Sequence, residues 1–497
     1  MTQPTYLGID VGTSSIKVVA VNPSGQLLAV TNTPLTVNVE HPGWSEQHPE
    51  GWWAGTCSAI KQALAEIDSP EVFGVGLSGQ MHSLVALDES KQIVRPAILW
   101  NDVRTSVEAE FVRDRVGNDS LRRLTGNPAL EGFTVTKLLW MRNNEPELFD
   151  RISHVLLAKD YIRYRLTGEL GTDPSDASGT LLFDITDSSW SDEMCGYLDI
   201  DRNLLPLVFE STEVAGRVMK QAACETDLEA GVPVVGGGAD NACAAVGAGV
   251  GSPGEALITI GTSGAVVSPI ASVVTDPGMR IHSMRHAVPN TWYLMGVVLS
   301  AGAALDWWRR SSGGATFDEL VAEAGTVNAG SDGVTFLPYL TGERTPHADA
   351  NARGVFFGMH GGIERAHMTR AVIEGVSFAL RDSLELMKEL GVDPEEAVAV
   401  GGGAGSPFWL QVLSDVTNLP LRTVSPLGGA PLGAAMLAAV GTGTFKNTAD
   451  ARDAWLTDLK SVIPHTAQSA AYDDAYGRYQ ALYPALKGMF ESGSVGG

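Results

Sequence analysis

The chain has 497 residues, 44% of them hydrophobic, which is enough for two sizeable cores. Its 34 Lys and Arg against 58 Asp and Glu leave a net charge of −24. That balance argues against a nucleic-acid binder and against a surface that docks on anionic lipid, since both need clustered cations.

An apolar run over residues 6–10, the turn Val11-Gly12-Thr13-Ser14-Ser15 and a second run over 16–21 open the chain. Asn22-Pro23-Ser24-Gly25 turns it again into a third run over 26–30, so the segment reads as an antiparallel meander. Trp52, Trp53, Cys57, Ile60 and Leu64 recur near helical spacing across residues 49–67, and a strand follows over 72–77. Meander, helix and strand predict an α/β core with a mixed sheet. A literal GxGxxG at Gly74, Gly76 and Gly79 opens onto Gln80-Met81-His82 and another apolar run rather than a helix, so dinucleotide binding is not expected. No GxxxxGK[ST] string occurs, which removes a Walker-type loop.

Residues 232–235 are apolar and run into Gly236-Gly237-Gly238-Ala239-Asp240-Asn241. Strand, glycines and a helix over 242–249 would make Asp240 an N-cap. A cap needs no glycines in front of it, and three of them leave the carboxylate accessible at a sheet edge, as a general base must be. Residues 254–261 lead through Thr262-Ser263-Gly264 to an apolar run over 265–268, repeating strand, Gly-Thr-Ser turn, strand. A helix over 366–390, a strand over 397–400 and Gly401-Gly402-Gly403 follow. The echo predicts a duplicated domain, residues 1–246 and 247–497, with the last helices packing back on the first half. The 56 glycines, about 11% against a usual ~7%, mark turns where backbone approaches a ligand. Each Gly-Thr-Ser turn can offer N–H groups and hydroxyls to phosphate, and Asp10 just before the first can hold Mg²⁺.

No basic flank and long apolar core marks a secretory signal, and the apolar stretch over 294–305 is broken by glycine and serine and too short to span a bilayer. Cys57, Cys195, Cys224 and Cys243 show no CxxC spacing, and no histidine pair sits beside them to complete a zinc site. The expectation is a soluble cytoplasmic protein with reduced thiols. Trp52, Trp53, Trp307 and Trp308 read as core, and Cys243 as small packing on a helix.

Two long patterns now resemble the signatures of the FGGY carbohydrate kinases, of the actin/hexokinase-like ATPase superfamily. They are Gly132-Phe133-Thr134-Val135-Thr136-Lys137 through Asn144, and Gly354-Val355-Phe356-Phe357-Gly358 followed by His367-Met368-Thr369-Arg370 through Glu374. The resemblance runs from Tyr6 to about Ala439 and is strongest to the xylulokinases. Gly79-Gln80-Met81-His82, Trp100-Asn101-Asp102-Val103-Arg104, Ser175-Asp176-Ala177-Ser178-Gly179-Thr180 and Gly342-Glu343-Arg344-Thr345-Pro346-His347 carry that part of it.

It implies two duplicated ribonuclease H-like domains with mixed sheets flanked by helices and a cleft between them. It implies Asp240 as catalytic base, with Met81, His82, Asn241, Trp100 and Asn101 against the sugar. Gly12, Thr13 and Ser14 become a first phosphate loop and Gly261, Thr262 and Ser263 a second. Gly302 and Asp306 would lie beside the nucleotide, Gly402, Gly403 and Ala404 around adenosine, and Asp10 at Mg²⁺. Gly132 stands where glycerol kinases carry a tyrosine, leaving room for a longer polyol. Pro407 stands where they use Asn near adenine, and proline cannot donate a backbone hydrogen bond.

The implied reaction is ATP-dependent phosphorylation of D-xylulose to D-xylulose 5-phosphate, with closure of the cleft over the sugar. Other substrates of the family (L-ribulose, gluconate, glycerol) are the alternatives, and an actin-like ATPase without a sugar is a more distant one. Small molecules are thus the expected partners, with a homodimer as the assembly that the resemblance points to.

Overall fold

Two apolar hairpins organise the structure, a computed structural model that describes residues 2–425 and 428–492. The outermost positions of the expected halves, 1 and 493–497, lie outside those residues. β1 (Gln3–Val11), β2 (Ser15–Val21) and β3 (Leu27–Pro34) form the meander. α1 (Pro49–Ala65) starts where His48 accepts the Glu50 N–H and Pro49 supplies a ready-made helical φ. It buries Trp52, Trp53 and Ile60 in the same core as Leu7 and Ile9 of β1. β4 (Pro70–Gly79) then returns parallel to β1.

α2 (Thr134–Asn144) and α3 (Ala158–Thr167) come from the long segment that follows. β5 (Val214–Arg217), β6 (Pro233–Val235) and β7 (Gly238–Ala239) complete the first sheet, and α4 (Asp240–Gly247) leaves it. The strand order is β5-β6-β4-β1-β2-β3, with β7 paired to the far end of β4.

The second sheet repeats the plan. β8 (Glu255–Ile260) and β9 (Gly264–Ile270) make the hairpin, and β10 (His282–Arg285) and β11 (Trp292–Val298) extend it. After α5 (Gly302–Ser311), α6 (Phe317–Ala324) and the long α7 (Arg365–Glu389), β12 (Glu396–Val400) lies parallel to β8, as β4 lies against β1. α8 (Pro407–Thr417), β13 (Leu421–Ser425), α9 (Gly429–Gly441), α10 (Thr448–Trp455), β14 (Thr457–Val462) and α11 (Ser469–Ser492) finish the chain. The order is β10-β11-β9-β8-β12-β13-β14. Two seven-stranded mixed sheets with flanking helices are the actin/hexokinase-like arrangement.

The end of the chain divides its loyalties. α9 lies on the first sheet, against β1 and β4, and beside α4. Glycines make that approach: a Cβ on Gly8 would be driven into the Pro431 carbonyl, and one on Gly76 into the Ala434 carbonyl. Trp455 of α10 follows it, its indole donating to Pro23 O at 3.1 Å. α11 instead packs Tyr472, Tyr476 and Tyr479 into the second core. The glycine excess therefore serves packing as well as turns. Gly76, the middle of the GxGxxG string, lies under a helix, and packing rather than ligand approach requires it there. Among the described residues no helix is long and apolar enough to cross a membrane.

Candidate active site

The first sheet brings two carboxylates to one end. Asp10 is the next-to-last residue of β1, and register sets it beside Lys17 of β2 and Ser78 of β4. Ser78 Oγ donates to Asp10 Oδ1 at 3.0 Å. β7 pairs Gly238 with Ser78 and Ala239 with Gly79, so Asp240 emerges at the same sheet end. Gly237 makes the turn with φ 74°, where a side chain would be strained and would strike the Leu77 carbonyl.

Asp240 is the first residue of α4, and Ala239 holds the cap position without a side-chain bond. The N-cap expectation is thus corrected. Asp240 Oδ1 accepts the Asn241 N–H at 2.7 Å and the Asn241 amide at 2.9 Å, which orients the carboxylate without capping the helix. Burial, then the charge of Asp10, pushes Asp240 up to about 7. Burial also raises Asp10, against the Ser78 hydrogen bond and the charge of Lys17. A carboxylate that titrates near neutrality is suited to accept a proton. Among the described residues no three His, Cys, Asp or Glu side chains converge as a metal cluster.

The segment after β4 builds a polar wall beside this pair. His82 is buried with φ 66°, a conformation rare outside glycine. Its Nδ1 lies 2.6 Å from the Gly179 carbonyl. Burial first, then the cation of Lys137, pushes its pKa down to about 3. The ring is therefore neutral, with its proton on Nδ1 facing that carbonyl and Nε2 left as an acceptor. Asn241 Nδ2 approaches Met81 Sδ at 3.9 Å. Trp100 donates its indole N–H to Thr13 Oγ1 at 2.9 Å, and Thr13 Oγ1 donates to Gln80 Oε1 at 3.1 Å. The Thr13 hydroxyl is thus committed to side chains of this wall rather than held free for phosphate, while Ser14 is exposed and Gly12 N–H closes the turn on Ser15 O at 3.1 Å. Asn101 lies exposed beyond Trp100.

Lys137 is a buried support of this wall to which sequence reasoning gave no role. It is fully buried on α2 and donates to the carbonyls of His82, at 2.9 Å, and Gly132. Thr134 Oγ1 reaches the same His82 carbonyl at 3.1 Å. The strained backbone of His82 is held by these two bonds. The signal for it was a single lysine directly before the apolar run over 138–141 of the first signature.

The second sheet opens on a cavity of about 1140 Å³. Gly261, Thr262, Gly302, Asp306, Gly402 and Gly403 line it together with Ile260, Phe317, Pro407 and Phe408. Ser263 is exposed in the same turn, whereas Ala404 is buried and does not line the cavity. Gly302 N–H bonds Gly261 O at 2.7 Å, and Thr262 O accepts the N–H groups of Ala301 and Ala303 at 3.0 and 3.1 Å. The turn is therefore bolted to the start of α5. Asp306 points its carboxylate at Arg309 and Arg310, at 2.9 and 3.1 Å. Pro407 is the first residue of α8, capped by Ser406, so its missing N–H leaves nothing unsatisfied and its ring joins the apolar wall.

The model of the FGGY family of carbohydrate kinases, N-terminal domain, matches residues 5–247, and that of its C-terminal domain matches residues 256–442. A xylulose kinase of Escherichia coli (strain K12) is 40% identical over 486 residues, covering 97% of this chain and 99% of that protein. One of Bacillus subtilis (strain 168) is 38% identical over 486 residues, covering 97% of both. The crystal structure of xylulose kinase from Rhodospirillum rubrum superposes with a TM-score of 0.92 at 30% identity, over 98% of this chain and 100% of that one. The chain belongs to the FGGY family of carbohydrate kinases.

Proposed function

We propose that this carbohydrate kinase transfers the γ-phosphoryl group of ATP to the 5-hydroxyl of D-xylulose, with Asp240 as general base. The observation that carries the reading is the half-buried Asp240, raised to about 7 where the polar wall of Met81, His82 and Asn241 meets the sheet end. Relatives named as xylulose kinases, 38–42% identical over 88% or more of this chain, support the choice of substrate.

The sugar lies against that wall. His82 Nε2 accepts from one of its hydroxyls, and the Asn241 amide donates to another oxygen. Asp240 takes the proton of the 5-hydroxyl as that oxygen attacks phosphorus in line. ATP lies in the second-sheet cavity, with its adenine against the apolar surface of Pro407 and Phe408 and its phosphates toward the turn of Gly261, Thr262 and Ser263. The turn of Gly12, Thr13 and Ser14 faces the transferring group from the other half.

A divalent cation fits this arrangement. Asp10 is a buried carboxylate raised by desolvation, and Lys17 is the cation that it feels, while Asp240 feels only a second negative charge. Mg²⁺ would be held at Asp10, with phosphate oxygens and water as its remaining ligands, and would neutralise phosphate charge there. Water carries the same nucleophilic group as a sugar, so closure of the cleft over xylulose restricts ATP hydrolysis.

A coupled kinase assay over D-xylulose, L-ribulose, gluconate and glycerol tests the reading. D-xylulose should give the highest kcat/KM, by about tenfold or more, since a site built to hydrogen-bond particular hydroxyls rejects analogues that misplace them. Equal rates across the panel would remove the xylulose assignment. An ATPase that none of these sugars stimulates would turn the reading toward a nucleotide-driven protein without a sugar substrate.

A further inference from the structure

Behind the turn that delivers Asp240 lies a cluster of fully buried charges. Lys159 Nζ is 2.6, 2.8 and 3.2 Å from carboxylate oxygens of Asp160, Asp173 and Asp176. Arg163 adds a second cation, 3.0 Å from Asp160. Removing these side chains from water is costly, and apolar residues of the same volume are often as stable in such a place. The cluster therefore calls for a role beyond filling space.

Two of the links that leave it end on the segment just before Asp240. Arg163 Nη1 donates to the Gly236 carbonyl at 2.8 Å. Asp173 Oδ2 accepts the Ser175 N–H at 2.9 Å and the Ser175 hydroxyl at 2.5 Å. A serine hydroxyl has one hydrogen, and Asp173 takes it. Ser175 Oγ is thereby fixed as an acceptor, and it accepts the Ala239 N–H at 2.9 Å. Ala239 is the residue whose carbonyl carbon carries Asp240. The backbone also runs close at this point: a Cβ on Gly238 would lie 3.2 Å from Ser175 Oγ.

We infer that Ser175 and Asp173, with Lys159 anchoring the Asp173 carboxylate in the interior, are positioning residues that set the direction of Asp240. The inference rests on Asp240 acting as the base. The chain of contacts runs from Lys159 to Asp173, through the Ser175 hydroxyl to the Ala239 amide, and so to the first residue of α4. Loss of its last link leaves Asp240 chemically intact but free to shift, and a shift of ~1 Å can lower turnover by about 10²-fold.

Ser175→Ala removes the acceptor for the Ala239 N–H without removing a charge. It should lower kcat on D-xylulose by about tenfold or more and leave KM for sugar and for ATP within about twofold of wild type, as expected when ground-state binding is untouched. The acidic limb of its kcat–pH profile should move from its wild-type position, because the hydrogen bonds and distance from Asp10 that tune Asp240 change with its direction. Ser175→Thr, which keeps the hydroxyl, should restore most of the turnover. Ser211→Ala is the control: it removes another donor to Asp173 Oδ2, at 3.1 Å, but no link to Ala239, and should leave kcat unchanged. A Ser175→Ala enzyme with wild-type kcat and pH profile, changed only in melting temperature, would overturn the inference. So would a Ser211→Ala enzyme impaired as severely as Ser175→Ala. Asp240→Asn run alongside separates the two readings. If it retains turnover, the base assignment fails; if it is inactive while Ser175→Ala is normal, only the positioning role fails.

Discussion

The two Gly-Thr-Ser turns each join an antiparallel strand pair, and their surroundings differ. Each is closed by its glycine N–H, Gly12 reaching Ser15 O three residues on and Gly261 reaching Ser263 O two residues on. In the first, the threonine hydroxyl is taken by Trp100 and Gln80, so the turn is locked into the wall beside Asp240. In the second, the threonine carbonyl takes two amides at the start of α5, and the turn faces the large cavity. Duplication supplied one hairpin twice; the elements packed around each copy decided which side of the reaction it serves.

Asp240→Asn breaks the first side most severely. It should lower kcat by about 10²-fold or more while sugar and nucleotide still bind, measured by steady-state kinetics and by calorimetry. Gly302→Val should break the second side alone. A Cβ there would lie 2.6 Å from the Gly261 carbonyl oxygen and pry the turn from α5. We expect KM for ATP to rise about tenfold with KM for the sugar unchanged, the scale of a tight steric misfit.

Thr13→Val tests the contrast from the other direction, since it removes the hydroxyl shared by Trp100 and Gln80. The expected rise is about fivefold in KM for D-xylulose, the worth of one net hydrogen bond, with ATP scarcely affected. An equal effect on both substrates would erase the division of labour between the turns.

The smallest expected effect is on stability. Asp240 titrates near 7 in the folded protein against an ordinary value of 3.8. Between those values the folded state binds the extra proton, so stability falls as pH rises through that window and stays lower above it. Asp240→Asn should therefore raise the melting temperature by about 2 °C at pH 8 and much less at pH 4. Calorimetry at both pH values checks the sign.

Much of this was legible in the sequence because it was local. The two hairpins, α1, α7 and the glycine turn before Asp240 each rest on patterns within thirty residues or so, and they appear where the periodicity put them. Asp240 stood out because three glycines preceded it. The rest depends on contacts between distant segments. Nothing around Thr13 says that Trp100 will claim its hydroxyl, and nothing around Lys159 says that the fold will close over it. Gly74 and Gly76 imitated a nucleotide loop because a helix packed on a strand needs glycine for the same steric reason as a bound phosphate does.

That helix has a consequence for synthesis. The face of β1 and β4 is covered by residues 429–441, which are synthesised long after those strands. Until they emerge the nascent first half exposes an apolar strip that its own sequence cannot cover, a setting in which chaperone engagement or aggregation competes with folding. An excised fragment of residues 1–246 should accordingly be insoluble or molten, and supplying 429–441 on a fused linker should rescue it.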